Sequence, residues 1–216
     1  DDHKSQKLIL APLKTLTNYR WRICALLFFG TTINYIDRQV LGLLAPLLQT
    51  EIGWSESDYG LIVSSFQVAY AIGFLLMGYM MDKIGERKGY GFAVGFWSLA
   101  AMVHAAAKSA IGFGVARFAL GLGEAGNFPA SIKAIARWFP KKERSLAAGI
   151  FNSGSSIGAI IAPWIVPIIV FHYGWKMAFI ITGALGFIFL IFWLKSYHTP
   201  EEHPDLSQEE RDYIQQ

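Results

Sequence analysis

Four charged side chains lie within stretches of the sequence that are otherwise apolar. Asp37 and Arg38 are adjacent, and Arg117 and Glu124 are seven residues apart. An arginine can bind a carboxylate through two parallel hydrogen bonds, whereas a carboxylate can take up or release a proton when its partners change. Together the four residues predict the binding of an organic anion and the transfer of a proton.

Two interpretations of these charges are open. A charge at the centre of a membrane costs about 2.5–3.5 kcal/mol on insertion scales, so its presence needs a reason. One is a buried ion-pair network that only orients helices, although such pairs are weak evidence for stability. We favour the other, a polar pathway between helices along which an anion and a proton can move.

Helical spacing places further polar residues beside the first pair of charges. Asn34 precedes Asp37 by three residues and Arg38 by four, so the three share one helix face. Tyr35 lies about 100° from that face and can reach the same cavity. Because Asp37 directly precedes Arg38, we expect the arginine to keep this carboxylate ionised until a substrate anion competes for it. Glu124, by contrast, has no cation beside it in the sequence.

The second pair of charges shares one face of another predicted helix. Arg117 and Glu124 are two turns, about 10 Å, apart along the helix axis, and Gly121 lies between them. A small residue there lets a neighbouring helix approach or leaves room for a ligand. In the apolar segment between the two pairs, Gln67 and Tyr70 are three residues apart and form a polar patch.

Six apolar segments must position these residues. Each is long enough for a membrane span of roughly 20 residues, and because lipid offers the backbone no hydrogen-bond partners, the spans are predicted to be helices. The segments are residues 21–48, 59–81, 89–107, 110–132, 146–171 and 177–194. We therefore predict an all-α integral membrane protein with an N-terminal arm (1–20), a six-helix transmembrane bundle (21–194) and the start of a central linker (195–216).

The distribution of Lys and Arg outside these segments predicts the orientation. All of them except Lys108 and Lys176 lie in the arm, in the loops after the second and fourth spans, or in the tail. Positively charged loops stay on the cytoplasmic side, so both ends of this chain are predicted to be cytoplasmic. We interpret the polar tail as a linker or surface helix that begins near Leu206 and Ser207, and we expect the native chain to continue beyond it.

Composition argues against other classes of protein. Of the 216 residues, 53% are hydrophobic and only 16% are charged, whereas soluble domains average about a quarter charged residues. The net charge of +3 is too small to argue for a nucleic-acid partner. The sequence has no nucleophile motif, phosphate-binding loop or metal-ligand spacing, so we predict neither an enzyme nor a metal site, and no cofactor beyond the coupling proton.

One loop carries a pattern that charge bias alone does not explain. After the second span the sequence follows the pattern Gly78-x-x-x-Asp82-x-x-Gly85-x-Arg87. The glycines allow a tight turn, and Asp82 can accept hydrogen bonds from a facing helix N-terminus, whose dipole favours an anion. We predict that this motif controls conformational balance without contacting the substrate. It resembles the signature between the second and third helices of the major facilitator superfamily.

A short internal repeat favours the same kind of architecture. The pattern Arg-x-x-Leu-Gly-Leu begins at Arg38 in the first span and again at Arg117 in the fourth. Three-plus-three repeats are a common way of building one half of a transporter.

Longer segments narrow the resemblance to the anion:cation symporter family, and within it to hexuronate transporters. These segments are NYIDRQVLGLLAPLL, ARFALGLGEAGNFPA, RWFPKKERSLAAGIFNSGSSIGAIIAP and PEEHPDLSQEE. The resemblance implies the N-terminal six-helix half of a twelve-helix transporter in the inner membrane of a bacterium. The C-terminal six-helix half is then a missing partner.

The resemblance also implies roles for individual residues. In this family the first-helix arginine, here Arg38, contacts the substrate carboxylate, and tyrosines at the positions of Tyr35 and Tyr70 line the sugar-acid site. Asn34 and Gln67 complete the predicted polar lining. Some sugar-acid transporters of the family have a glutamine where this sequence has Ser155, which leaves galactonate-type selectivity in doubt and hexuronates open. The proton-coupling carboxylates fall on Asp37 and Glu124, with Arg117 communicating between them.

We therefore predict proton-coupled symport of an organic anion, with a hexuronate such as glucuronate or galacturonate as the favoured substrate. Two alternatives stay open. One is transport of another sugar acid or small carboxylate, and the other is a non-transporting membrane sensor with the same fold. The sequence does not distinguish a proton from a sodium ion as the coupling ion.

Overall fold

The computed structural model of the protein describes residues 18–215, so residues 1–17 of the predicted N-terminal arm lie outside the described part. Within it the α-helices are α1 (Tyr19–Ile52), α2 (Glu56–Ile84), α3 (Glu86–Val103), α4 (Ala110–Glu124), α5 (Asn127–Trp138), α6 (Arg144–Tyr173), α7 (Trp175–Ser196) and α8 (Gln208–Ile214). A 3-10 turn, His104–Ala106, follows α3. All six predicted segments are therefore essentially helical.

Tight connections separate the long helices. Gly53, Gly85 and Gly174 have φ values of 80°, 79° and 81° and lie between successive helices. A positive φ is readily adopted by glycine, so the chain can reverse within a few residues. At the start of α2, Asp58 N donates to Ser55 Oγ at 3.1 Å and Ser55 N donates to Asp58 Oδ2 at 2.9 Å. This capping box fixes where α2 begins.

The fourth predicted span consists of two helices, which corrects the single helix expected over 110–132. α4 ends at Glu124 and α5 begins at Asn127. Between them, Gly126 N donates to the carbonyl of Gly123 at 3.1 Å. This bond spans three residues, as in a 3-10 turn, whereas the hydrogen bonds of an α-helix span four. A Cβ on Gly126 would lie 2.6 Å from the Cβ of Ala93 in α3. The interruption thus coincides with a close approach between two helices.

Within residues 18–215, three helices meet the length and hydropathy requirements for crossing a membrane, namely α2, α6 and α7. The other predicted spans contain charged residues or are divided into shorter helices, which lowers their hydropathy or their length. α1 includes Asp37 and Arg38, and α3 has only 18 residues and begins with Glu86, Arg87 and Lys88. α4 and α5 have 15 and 12 residues, so each is shorter than a span on its own. Intramembrane charges and a helix break therefore weaken the apolar signal.

The helix pairs follow a three-plus-three arrangement. α1 packs mainly on α6, α2 mainly on α4, and α3 mainly on α7. When α4 and α5 are taken together as the fourth span, these pairs are one with five, two with four, and three with six. Exchanging the first three spans with the last three maps the set of pairs onto itself, as an internal repeat requires.

Glycines bring the paired helices into backbone contact. A Cβ on Gly154 or Gly158 of α6 would lie 2.5 Å from a carbonyl oxygen of α1. In the equivalent pair, a Cβ on Gly73 of α2 would lie 2.8 Å from a carbonyl oxygen of α4, and one on Gly121 of α4 would lie 2.6 Å from the carbonyl oxygen of Phe66. Small residues permit this approach where lipid provides no hydrophobic drive between helices.

The bundle has two ends, and the tail docks on one of them. The end that contains Tyr19, Glu86, Trp138 and Ser196 is called the terminal end below. At this end, Tyr19 N of α1 donates a hydrogen bond to a carboxylate oxygen of Glu210 in α8 at 3.4 Å. The opposite end includes the bond from Trp175 Nε1 to Glu51 Oε2 at 2.6 Å.

Ion pairs hold the tail helix α8 at the terminal end. Arg20 Nε donates to Glu143 Oε2 at 2.9 Å, and its Nη1 donates to Glu210 Oε1 of α8 at 3.0 Å. Tyr213 in α8 donates to the other oxygen of Glu143 at 2.6 Å. The Arg20 side chain is 5% exposed and that of Glu210 0%. The tail helix, which begins with Ser207 as its N-cap, is thus fastened to the first and fifth spans.

The same contacts act on the ionisation of Glu143, which lies just before α6. Burial opposes its charge, but hydrogen bonds from Tyr213 and Arg20 outweigh burial and hold the pKa of Glu143 below its ordinary value of 4.5. A carboxylate with a lowered native pKa stabilises the folded state above its ordinary pKa, and this contribution is lost as the pH falls through the native pKa. The contribution of Glu143 to tail docking is therefore complete above pH 4.5 and is lost below it.

Replacing Arg20 should release the tail helix. The variant Arg20→Met removes the buried ion pair with Glu210 and the pair with Glu143, and breaking a buried ion pair typically costs about 3–5 kcal/mol. We expect amide exchange over residues 208–214 of the full-length protein to accelerate more than about a hundredfold, measured by hydrogen–deuterium exchange. Arg22→Met changes an exposed arginine on the same helix and is the matched control. Equal exchange in the two variants would show that the ion pairs do not hold α8.

Glycine substitutions in α4 should separate helix contact from helix propensity. Gly121→Ala places a methyl group against the Phe66 carbonyl, whereas Gly114→Ala on the same helix meets nothing within 4 Å. Overpacking of this kind costs about 1–3 kcal/mol, so we expect Gly121→Ala to lower the thermal unfolding midpoint of the full-length protein. Gly114→Ala should leave it unchanged or raise it, because alanine favours a helix by about 0.5–1 kcal/mol. The same loss in both variants would contradict the close approach.

Candidate functional site

Arg38 is the centre of the buried polar cluster. Its Nε donates to Glu124 Oε2 at 2.9 Å, and its Nη2 reaches Asn34 Oδ1 at 3.5 Å. The Glu124 side chain is fully buried, but 23% of the Arg38 side chain is exposed. The Tyr70 hydroxyl is close enough to the guanidinium to interact with it, although no hydrogen bond of normal geometry joins Nη1 to a described residue. The guanidinium is thus anchored on one side and open to a ligand on the other.

Aromatic rings surround the same guanidinium. The Cζ atom of Arg38 lies 4.5 Å from the ring centroid of Tyr35, 5.0 Å from that of Phe66 and 4.9 Å from that of Tyr70. A ring face attracts a cation by about 0.5–2 kcal/mol, more when the pair is away from water. The two predicted tyrosines therefore do meet Arg38, and Phe66 is an additional ring that the sequence analysis did not single out.

Asp37 does not pair with Arg38, which corrects our expectation. Adjacent residues on a helix point about 100° apart. Asp37 instead lies near the hydroxyl of Thr182 in α7, close enough to interact with it, although neither carboxylate oxygen has a hydrogen-bond partner of normal geometry among the described residues. Asp37 is only 2% exposed. The arginine that follows it in the sequence serves Glu124 on another helix.

Arg117 connects the two carboxylates. Its Nη2 donates to the backbone carbonyl of Arg38 at 2.7 Å, and its Cζ lies 4.8 Å from the centroid of the Phe66 ring. Arg117 is 6% exposed and attracts both Glu124 and Asp37 electrostatically. The seven-residue spacing of Arg117 and Glu124 thus places both side chains against α1, as predicted from the helix period.

Several polar atoms of this cluster are buried without a hydrogen-bond partner among the described residues. They are Asn34 Nδ2, both carboxylate oxygens of Asp37, Arg117 Nε and Nη1, and Glu124 Oε1. Most buried polar atoms in proteins are hydrogen-bonded, and exceptions concentrate where groups change partners or protonation state. A network that serves only to orient helices would be satisfied more completely. The cluster therefore favours the polar-pathway interpretation.

Two predicted lining residues have no described contact with Arg38. Gln67 is exposed. Ser155 is half-buried and donates to the carbonyl of Asn152 on its own helix at 2.6 Å. Both are on the two helices, α2 and α6, whose faces are the least buried among the long helices. Their assignment to the substrate site stays a prediction.

The motif formed by Gly78, Asp82, Gly85 and Arg87 lies at the terminal end of the bundle, and in the sequence it is separate from the residues of the Arg38 cluster. Asp82 Oδ1 accepts a hydrogen bond from Lys133 Nζ at 2.7 Å, and 73% of the Asp82 side chain is exposed. Among the described residues its partner is thus a lysine of α5, where we expected a helix N-terminus. Arg87 Nη2 donates to the carbonyl of Leu194 at 2.6 Å. A Cβ on Gly78 would have no atom within 4 Å, and Gly85, with its positive φ, forms the turn between α2 and α3.

Residues 27–215 match the family model of the Major Facilitator Superfamily. The chain belongs to this family. It is 41% identical over 202 residues to the hexuronate transporter of Escherichia coli strain K12, which covers 94% of this chain and 47% of that protein. It is 40% identical over 195 residues to the galacturonate transporter of Dickeya chrysanthemi, covering 90% of this chain and 56% of that protein.

Solved structures agree on the fold. A bacterial homologue of the human lysosomal transporter Spinster, in an inward-facing and unoccupied conformation, has a TM-score of 0.74 and 23% identity. The match covers 85% of this chain and 44% of that one. The chain spans about half the length of the curated relatives it matches. The predicted fold class, an all-α membrane bundle corresponding to one half of a major facilitator protein, is confirmed, and the relatives are named transporters and not enzymes.

Sequence reasoning missed a buried carboxylate in this major facilitator half. Glu86, 1% exposed, accepts a hydrogen bond from Tyr197 at 2.8 Å and pairs with Arg137 Nε at 3.3 Å. It joins α3 to α5 and to the end of α7. The signal was its helical register, because Glu86, Tyr90 and Trp97 are spaced as one buried face of α3.

A second missed group links three helices beside the α4–α5 break. Asn127 Nδ2 donates to Thr31 Oγ1 at 3.1 Å, and Tyr90 donates to Asn127 Oδ1 at 2.6 Å. Asn127 is 4% exposed and is three residues after Glu124. An uncharged polar residue inside an apolar run gives a weak sequence signal, since small polar residues serve helix packing equally well.

Proposed function

We propose that the full-length protein is a proton-coupled symporter of a hexuronate. The observation that carries the proposal is Arg38, a partly exposed guanidinium that is held by a buried carboxylate and surrounded by aromatic rings. A planar fork of donors of this kind suits the carboxylate of a sugar acid. Similarity to transporters named for hexuronate and galacturonate supports this substrate class.

Coupling between the anion and the proton follows from the partner of Arg38. A substrate carboxylate that binds Arg38 competes with Glu124 for the same positive charge. Glu124, fully buried, then loses part of its compensation and is more easily protonated. Because linkage is reciprocal, protonation of Glu124 also frees Arg38 for the substrate. In our proposal Glu124 thus takes the role that the sequence analysis assigned to Asp37.

Asp37 provides a second protonation site on the same pathway. Arg117 attracts both Glu124 and Asp37. At any one time it can strongly stabilise the negative charge of only one of these two carboxylates. A proton that arrives at Asp37 therefore makes Arg117 more available to Glu124. This arrangement relates the two acids without direct contact between them.

We assign the conformational balance to the terminal-end motif. Asp82 and Lys133 form an exposed pair, which contributes about 0–1 kcal/mol and is therefore easily exchanged for another partner when one bundle moves against the other. We further propose that the terminal end faces the cytoplasm of a bacterium, in its inner membrane, because nearly all the cations outside the spans in residues 18–215 lie there. A C-terminal six-helix half would complete the substrate site.

The arginine fork should be essential for substrate binding. We expect Arg38→Lys in the purified full-length protein to lower the affinity for galacturonate or glucuronate at least tenfold, measured by isothermal titration calorimetry, because lysine keeps the charge but loses the planar geometry. Arg22→Lys, on the same helix and exposed, is the control. If the Arg38 variant binds either acid almost normally, Arg38 is not the anchor. If the wild type binds neither acid nor takes either into liposomes, the hexuronate proposal fails and the sensor alternative gains support.

Removal of the Glu124 charge should separate exchange from accumulation. In liposomes, Glu124→Gln should exchange labelled substrate between equal pools but not accumulate it when a pH difference is imposed. Its affinity should also depend less on pH than that of the wild type, in which affinity increases as protonation frees Arg38. Glu56→Gln, an exposed acid at the start of α2, is the control. Accumulation driven by a pH difference in the Glu124 variant would remove Glu124 from the coupling mechanism.

A further inference from the structure

A second polar cavity lies at the terminal end, away from the Arg38 cluster. Its volume is about 260 Å³, and it is enclosed by the end of α5, the loop that follows, and the tail including α8. Four cationic side chains line it, and Glu201 is the only carboxylate among its lining residues in the described part of the chain. The cations are Arg137, Lys141, Arg144 and Arg211.

Most of this positive charge has no anionic partner among the described residues. Arg137 pairs with Glu86. Arg144, however, donates to two backbone carbonyls of α5 and its end, at 3.0 and 2.8 Å. Arg211 likewise donates to two carbonyls of the tail, at 3.1 and 2.8 Å. Lys141 is exposed and makes no hydrogen bond or ion pair in the described structure.

The carbonyl bonds hold the two guanidinium groups in place but leave their charge uncompensated. Like charges around one cavity repel each other, and this cost grows as water is excluded from the space between them. An anion in the cavity would remove the repulsion and meet donors that are already oriented. Arginine side chains fixed in this way are typical of sites that bind phosphate groups.

We propose that this cavity binds a phosphate-ester anion. The volume admits a phosphate group with a small polar substituent but not a complete lipid. Two sources offer this chemistry, namely the headgroup of an anionic phospholipid in the adjacent leaflet and a soluble phosphate compound. Basic pockets beside transmembrane helices are known to bind lipid headgroups of this kind.

The bound anion would connect the tail to the bundle. Arg211 belongs to α8, whereas Lys141 precedes α6 and Arg144 is the first residue of α6. A phosphate between them attracts both sides and adds to the ion pairs of Arg20. By linkage, ligand binding strengthens the docking of α8, and undocking of α8 weakens ligand binding. The occupancy of this site would thus control how firmly the linker is held.

Thermal unfolding of the full-length protein tests the site and distinguishes the two sources. One arm measures the unfolding midpoint in an uncharged detergent as inorganic phosphate is added, with chloride at equal ionic strength as the reference. The other compares nanodiscs of phosphatidylcholine with nanodiscs that also contain phosphatidylglycerol. Lys141→Gln and Arg211→Gln are examined in both arms. Lys88→Gln, an exposed cation at the same end that does not line the cavity, is the control.

We expect phosphate, phosphatidylglycerol or both to raise the midpoint of the wild type and of Lys88→Gln. Each cavity variant should weaken this response, with about a tenfold higher half-saturating concentration. A response only in the first arm identifies a soluble phosphate ligand, a response only in the second identifies the lipid, and a response in both shows that the site accepts either source. The proposal is overturned if neither ligand raises the midpoint, or if Lys141→Gln responds as strongly as the control. Lys141 makes no hydrogen bond or ion pair in the described structure, so its replacement removes no such bond from the docked tail.

Discussion

The structure depends on the cost of a buried positive charge at Arg38. A guanidinium that is largely removed from water needs partners for its charge, and on the buried side of Arg38 these partners come from three different helices. Glu124 of α4 supplies the negative charge, Asn34 and Tyr35 of α1 contact it from its own helix, and α2 adds the rings of Phe66 and Tyr70. Arg38 thus contacts residues of α1, α2 and α4 at one point in the bundle.

This requirement explains why the helices approach so closely. Phe66 can lie beneath both arginines only if its backbone is in contact with α4, and Gly121 allows that contact. The break after Glu124 lies beside the fixed carboxylate, where Gly126 closely approaches Ala93 of α3. Helix packing and the polar site in this bundle consequently depend on the same residues, since the glycines that permit helix contact also define the surroundings of the ion pair.

Much of this organisation could be predicted from the sequence, and the failures have identifiable causes. The six helical segments follow from apolar length alone, and the face shared by Arg117 and Glu124 follows from the helix period. The partner of Arg38 was not predicted correctly. Because Asp37 and Arg38 are adjacent in the sequence we expected them to pair, but helical geometry directs their side chains about 100° apart. Glu86 was overlooked because a charged neighbour in a loop resembles an ordinary surface residue until its register with Tyr90 is considered. Contacts between helices distant in the sequence, such as Asn127 with Thr31, carry no local signal.

The docked tail also affects how the bundle can be joined to the second half that we propose. Without docking, a tether to any following chain would begin where α7 ends, at Ser196. Because Arg20 and Glu143 hold α8 against the bundle, the free part begins only after this helix, and it leaves from a defined point on the terminal end. A shorter tether raises the effective concentration of two joined bodies and restricts the directions from which they meet. The ion pairs of Arg20 would thus act on the geometry of the proposed assembly, although they lie in a different part of the bundle from the Arg38 cluster.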